Sequence, residues 1–376
     1  MKHVEFAKHL CTRMILIAVF LLPMIAGFTT TALAAGDKTQ SLVYTMTNAA
    51  SGNEVVVIRH SSNGSSSQKT FSTGGLGSGT GLGSQGSVVV SDNGRWLFVV
   101  NAGSNEISVF AVGKNGLKLN DVVDSGGIKP ISLTAHDSLV YVVNAGGSGN
   151  ISGFQLQKNG KLSPLAGSTQ PLSNGGAGDS PQPAQISFHP GGDLLVVTEK
   201  GTNLIDTYEL NKGIAEAPVT HPSAGMTPFG FAFDNLDHLV VSEAFGGAPD
   251  ASTMSSYFVD NATFDLISPS VATTQTAACW VVISRDGKYA YDTNTGSDSI
   301  SSFSIGDDGS LTLLDPQAGL TGDTPIDMAL TSNGKILFAL AGTSHTVNAF
   351  WVNSDGSLES LGDVSVPAGS VGLAAQ

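Results

Sequence analysis

The sequence predicts an all-β protein, a closed seven-bladed β-propeller whose blades are four-stranded antiparallel sheets. Three observations point there. A strand–loop–strand unit recurs at a blade-sized period, the units are bounded by Asn-Gly and Asp-Gly turns, and the two chain ends hold complementary parts of one further unit. With Gly at 46 residues and charged residues at only 13%, the composition suits short strands and tight turns rather than helices.

The first element is not part of the ring. Lys2, Lys8 and Arg13 precede an apolar run over 14–28, and Ala32-Leu33-Ala34 gives an A-x-A site, the pattern of a secretory signal peptide over 1–34. Its apolar core is shorter than the roughly 20 residues of a bilayer span, and no later segment is long and apolar enough. The expectation is a secreted or periplasmic protein, one propeller domain over 35–376, with no integral membrane segment. Cys279 is the one cysteine beyond that signal, so the core and not a disulfide must stabilise the ring. The formal net charge of -14 disfavours nucleic acid and anionic lipid as partners.

The repeats follow. "SDNGRWLFVVNAGSNEISVF" (91–110) recurs at 135–154, 189–208, 284–303 and 331–350, with a looser copy at 234–257. Their closing aromatics Phe110, Phe154, Tyr208, Tyr257, Phe303 and Phe350 stand about 44 to 54 residues apart. Each copy reads as a first strand, a D-G or N-G turn, an apolar second strand, a polar loop, an alternating third strand, a second turn and a fourth strand. Segment 42–58 has second and third strands with no first, whereas 366–375 looks like a first strand alone. Together they complete the seventh blade and close the ring, which removes its exposed edges. The Gly-rich stretch 75–86 contains G-x-G-x-x-G but precedes no helix, and reads as a flexible linker.

"LFVVNAGSNEISVF", "VYVVNAGGSGNISGF" and "PAQISFHPGGDLLVVTEKG" resemble the lactonase family of seven-bladed propellers. That family includes propeller-type 6-phosphogluconolactonases and carboxymuconate lactonizing enzymes, and overlaps in pattern with YVTN-repeat surface proteins. The resemblance covers about 42–375. It implies a Pro-His-x-His-like stretch before an inner strand, with Arg and His facing an anionic substrate. Here the comparable stretch, 181–185, reads PQPAQ and holds no His, while Arg95 and Arg285 fall in turns away from the polar loops. A phosphorylated substrate would want convergent Arg, so the expected substrate is sugar-derived or otherwise weakly charged.

One position per blade, at the end of the second strand, lies on the rim shared with the interblade links: Asn48, Asn101, Asn144, Glu199, Glu243, Asn294 and Ala341. Asn there reads as turn chemistry, since its amide bonds to the following turn and tolerates left-handed backbone. Glu199 and Glu243 break the pattern in adjacent blades and are the candidate catalytic pair. They suit a general base for water attack on a lactone carbonyl, a divalent-cation site completed by loop oxygens, or sugar-hydroxyl binding. An ion pair between Glu199 and Lys200 is the plain structural alternative. Aligned inner strands place Gln185, Trp280 and Asp327 at one level of the channel mouth, so these, with Asn101, Asn144, Asn294 and the rim-loop His345, are the candidate substrate-binding residues. Trp280 plugging the channel and Asp327 holding a buried amide or water stay open; Cys279 reads as an inert buried thiol. Two functions remain: an exported lactone hydrolase acting on a small lactone or carbohydrate, and a non-catalytic exported propeller binding a protein, glycan or surface.

Overall fold

Each innermost strand touches the next around a closed circle: Val88–Val90, Pro130–His136, Pro183–Phe188, Pro228–Phe233, Ala278–Ile283, Pro325–Leu330, Val371–Ala375, and back to Val88–Val90. The structure is a computed structural model that describes residues 40–61 and 65–376; the signal-peptide segment lies outside the described residues. Seven antiparallel sheets are present among those residues, numbered here as blades 1 to 7 from the N-terminus. In blade 1 the C-terminal strand Val371–Ala375 is innermost and pairs with Gln40–Met46, followed by Glu54–Ser61 and Ser66–Ser72, the closure the split unit predicts.

The second strands are buried along their length, as in Trp96–Asn101 and Leu194–Glu199, because each blade packs on neighbours at both faces. The closing aromatics of the six repeats fill those seams, all 2% exposed or less. Outer strands such as Ser66–Ser72 are exposed and polar. In blades 2 to 7 the turn between third and fourth strands seats the blade on the one before it. Gly356, at φ 82°, holds a left-handed turn whose carbonyl accepts from Tyr291 Oη of blade 6 at 2.9 Å, where the Tyr289 ring leaves no room for a Cβ.

Two departures from uniform four-stranded blades have local causes. Outer strands of blades 3 and 4 are each in two pieces, Leu162–Pro164 with Gln170–Pro171 and Ile214–Ala215 with Val219–Pro222. In blade 3, Pro164 and Pro171 each withhold a ladder N–H. Blade 2 has an inner strand of only three residues, because the chain leading into it does not run along the rim. Far from being a flexible linker, segment 82–87 crosses the channel. Ser84 Oγ donates to Ile131 O of blade 3 at 2.8 Å, Gln85 N to Ala184 O of blade 4 at 3.1 Å, and Trp280 Nε1 of blade 6 to Ser84 O at 3.0 Å.

Candidate functional site

The rim position at the end of the second strand commonly fastens a link between blades: the arriving link at Asn144, Glu199 and Glu243, and the departing one at Asn48, whose Nδ2 donates to Thr80 O at 2.7 Å and whose Oδ1 accepts from Ser78 N at 2.8 Å. Two residues into the third strand a small polar residue faces it, Ser108 in blade 2 and Ser301 in blade 6. Asn101 Nδ2 donates to Ser108 Oγ at 2.7 Å, and Ser108 Oγ passes the bond on to Thr73 O of the link. Asn144 Nδ2 reaches Ser125 O at 3.3 Å, and Asn294 Nδ2 reaches Ser301 Oγ at 2.8 Å. In blade 7 the pair is inverted: Ala341 holds the rim position, and Asn348 on the third strand accepts from Gly322 N at 3.1 Å.

Turn chemistry belongs four residues later. Asn105, Asn203, Asp298 and His345 take left-handed backbone at φ 62°, 58°, 51° and 54°, while among the four rim asparagines only Asn48 does so, at 50°. Asn105, Asn203 and Asp298 accept from the N–H of the departing link at Lys129, Thr227 and Thr324, 2.7 to 2.8 Å away. His345 is therefore the blade 7 counterpart of a turn residue, and it stands exposed.

Glu199 and Glu243 appear where the link turns an N–H toward the rim residue. Ser173 N donates to Glu199 Oε1 at 3.0 Å, and Ser173 Oγ and Thr202 Oγ1 donate to Oε2 at 2.6 and 2.5 Å. Gly225 N donates to Glu243 Oε1 at 2.7 Å, joined by Ser255 Oγ at 2.6 Å, while Thr253 and Ser270 donate to Oε2. Gly225 has no Cβ because the Glu243 carboxylate occupies that space. Both glutamates are 0% exposed, so neither presents an oxygen to the channel. An acceptor-only carboxylate meets donors there as an amide could not on both oxygens. The same crowding of donors is the opposite of a cation shell, and among the described residues no three His, Cys, Asp or Glu side chains gather at ligand spacing.

Lys200 does not pair with Glu199. It is the first turn residue after the strand, and its side chain turns toward the channel, where Nζ donates to Gly83 O and stands 4.6 Å from the Phe229 ring centre. Burial pushes its ammonium down to about 8, with Lys129 acting the same way and Cys279 opposing. Phe229 in turn lies 4.9 Å from Trp280, so the residues gathered at this mouth are Lys200, Phe229, Trp280 and Gly83.

Of the other predicted mouth residues, Gln185 is buried and clasps the backbone of Phe231, donating to its oxygen at 3.0 Å and accepting from its nitrogen at 2.8 Å. Gln85 does the same to Val281 across the channel, at 2.7 and 3.0 Å. Asp327 is 1% exposed, accepts from Met328 N at 2.8 Å, and is pushed far up by burial. Burial also pushes the Cys279 thiol up to about 12, which keeps it protonated and inert. Trp280, Gln185 and Gln85 thus converge on the channel; Asn101, Asn144, Asn294 and the two glutamates sit under the links, and His345 stands apart. Sequence reasoning missed Lys200 as a channel residue; it lies in the turn just past the strand, where side-chain period gives no direction. It also missed Asp206, seven residues after Glu199 as Ser108 is after Asn101.

A sequence model of the family described as "Lactonase, 7-bladed beta-propeller" matches residues 37–174 and 179–372. A protein of Arthroderma benhamiae named "Probable 6-phosphogluconolactonase" is 25% identical over 244 residues, 57% of this chain and 60% of that protein, so the match spans less than two thirds of the relative. Among solved structures, the Pseudomonas aeruginosa periplasmic gluconolactonase aligns with a TM-score of 0.69 at 16% identity, covering 89% of this chain and 98% of that one. A Lactobacillus plantarum protein aligns with a TM-score of 0.72 at 16% identity, covering 90% and 100%. At such identities these structures share the fold.

Proposed function

Because the chain belongs to the lactonase family of seven-bladed β-propellers, we propose that it is an exported hydrolase of uncharged, sugar-derived lactones, working at the channel mouth beside Lys200. One observation carries this reading: a cation with a lowered pKa is held against an aromatic face with its Nζ already donating to a carbonyl oxygen. A lactone carbonyl exchanging for Gly83 O meets the same donor, which strengthens as charge develops on that oxygen. Water adds to the carbonyl carbon, the ring C–O bond breaks, and the proton lost by water ends on the released hydroxyl. Trp280 and Phe229 supply a face for the sugar ring. Glu199 and Glu243 act as positioning residues that hold the links, and the candidate Asn residues share that role.

Acceptance of a neutral lactone over a phosphorylated one follows from a mouth with no Arg beside Lys200 among the described residues: Arg59 donates to Lys114 O, Arg95 stands over Trp96, and Arg285 lines a cavity with Trp351. The protonated amine is the active form, so enzymic turnover declines as pH rises through about 8, against the rising background of hydroxide. The test is initial-rate hydrolysis of D-glucono-1,5-lactone and 6-phosphogluconolactone, with and without chelator. Lys200→Met is expected to lower kcat/KM for the neutral lactone about 10²- to 10³-fold. Full turnover in that variant, or loss of it only in Glu199→Gln or Glu243→Gln, overturns the assignment to Lys200. The fully engaged oxygens of both glutamates favour a second reading, a non-catalytic propeller that binds a glycan or surface protein; absence of turnover on every lactone selects it. Export from a mature N-terminus near residue 35 is checked by sequencing the protein from the extracytoplasmic fraction.

A further inference from the structure

We propose that Asp206 is a positioning residue that holds a single proton jointly with Glu199, and that this shared proton fastens link 172–182 over blade 4. Ser173 N, at the start of that link, donates to Glu199 Oε1 at 3.0 Å and to Asp206 Oδ2 at 2.9 Å, so two acidic groups crowd one N–H. Bonding to one nitrogen holds those two carboxylate oxygens close together, and Glu199 accordingly raises the pKa of Asp206. Two carboxylates cannot bond to one another without a proton, because each is acceptor-only. Both are 0% exposed, which makes a doubly ionised pair still less favourable.

Among the described residues, the groups that bond to the pair are neutral and do not offset a second negative charge. From the fourth strand Thr220 Oγ1 donates to Asp206 Oδ1 at 2.9 Å, and from the third strand Tyr208 Oη lies 3.4 Å from Oδ2. The loop contributes Thr202 and the link Ser173, all neutral. Lys200 is directed to Gly83 O at the channel, and His221 is turned away onto Thr207, 3.1 Å from its hydroxyl. Blade 2, with Asn101–Ser108 at the same two positions, holds its link with groups that do not titrate, and blade 6 carries the same kind of neutral pair in Asn294–Ser301.

The link also anchors the backbone beside the mouth: Gln182 O accepts from Lys200 N at 3.1 Å and Pro181 O from Gly201 N at 2.9 Å. Release of the link therefore loosens Lys200, a consequence that rests on the proposed role of that lysine; the shared proton does not. Burial first, and Glu199 second, push Asp206 from its ordinary 3.8 up to about 8. The folded chain keeps a proton that the unfolded chain gives up, so this stabilisation is complete below about pH 4 and is lost as pH rises through about 8.

The experiment is urea unfolding from pH 5 to 9 with hydrogen exchange across 172–182, on wild type, Asp206→Ser, and the double variant Glu199→Asn/Asp206→Ser that copies blades 2 and 6. Over that window the wild-type folding equilibrium is expected to fall by up to tenfold per pH unit relative to either variant. Asp292 and Asp327, also pushed up by burial, titrate in all three proteins and cancel in the comparison. Exchange at Ser173 in wild type should rise above pH 8 beyond the intrinsic increase. Parallel pH profiles in wild type and variants overturn the proposal, and so does a wild-type link equally protected at pH 6 and 9, a measurement that needs no variant to fold. Neither readout depends on turnover, so failure of the lactonase reading leaves this result interpretable.

Discussion

Replacing Gln85 by Ala tests whether the Gly-rich segment braces the channel. The Gln85 amide satisfies both the N–H and the C=O of Val281, a residue 0% exposed, across 196 positions of sequence. Each backbone group left unpaired in a buried site costs about 1–3 kcal/mol, which sets the range at about 2–6 kcal/mol for the two. Gln85 and Val281 also line a cavity of about 480 Å³ at the opposite mouth, through which water can reach the exposed groups. Hydration holds the expected cost to the lower half, about 2–4 kcal/mol. Urea unfolding followed by tryptophan fluorescence measures it, with hydrogen exchange at Val281 as the local readout. Gln85→Glu sharpens the test: a carboxylate accepts from Val281 N but sets an oxygen against Val281 O, and only its protonated form donates as the amide does. That variant should regain stability at acid pH. A cost of Gln85→Ala below about 0.5 kcal/mol, the scatter expected of an ordinary surface substitution, refutes the brace.

Gly230→Ala drives a Cβ into Gln85 Oε1 and to 2.6 Å from Cys279 O, and should cost about 1–3 kcal/mol by overpacking, with the loss less than additive to Gln85→Ala in a double-mutant cycle. Glu243→Ala strands Gly225 N and leaves a cavity, for an expected loss of about 3 kcal/mol in thermal or urea unfolding. Glu243→Gln should lose less than about 1.5 kcal/mol, because Thr253 and Ser270 can rotate their hydroxyls to accept from the new amide while Gly225 N and Ser255 keep an oxygen. Cys279 should resist iodoacetamide at pH 8 in the native protein and react once the chain is unfolded in urea; labelling of the folded protein at the unfolded rate would contradict its burial.

The fold was legible because a blade is local. Alternation in the third strand, the apolar run of the second and the Asn-Gly or Asp-Gly turns lie within one stretch of about 45 residues, and the half-unit at 366–375 announces its partner at 42–58. Glu199 and Glu243 were legible as exceptions for the same reason, since a repeat supplies its own reference. Their work was not legible. Ser173 precedes Glu199 by 26 residues and Gly225 precedes Glu243 by 18, and no local pattern shows that these links turn N–H groups rather than carbonyls inward.

By itself the sequence determined the ring, its seven-fold count, its closure through the C-terminal strand and the paired carboxylate exception, all consequences of side-chain period and turn stereochemistry acting over short stretches. Tertiary structure alone decided that the exception faces inward beneath the links, that Lys200 and not Glu199 looks into the channel, and that Gln85 spans the lumen to Val281. Those outcomes depend on which hydrogen-bonding groups distant segments present to one another once seven sheets enclose a common axis, and water is excluded only after that enclosure is complete.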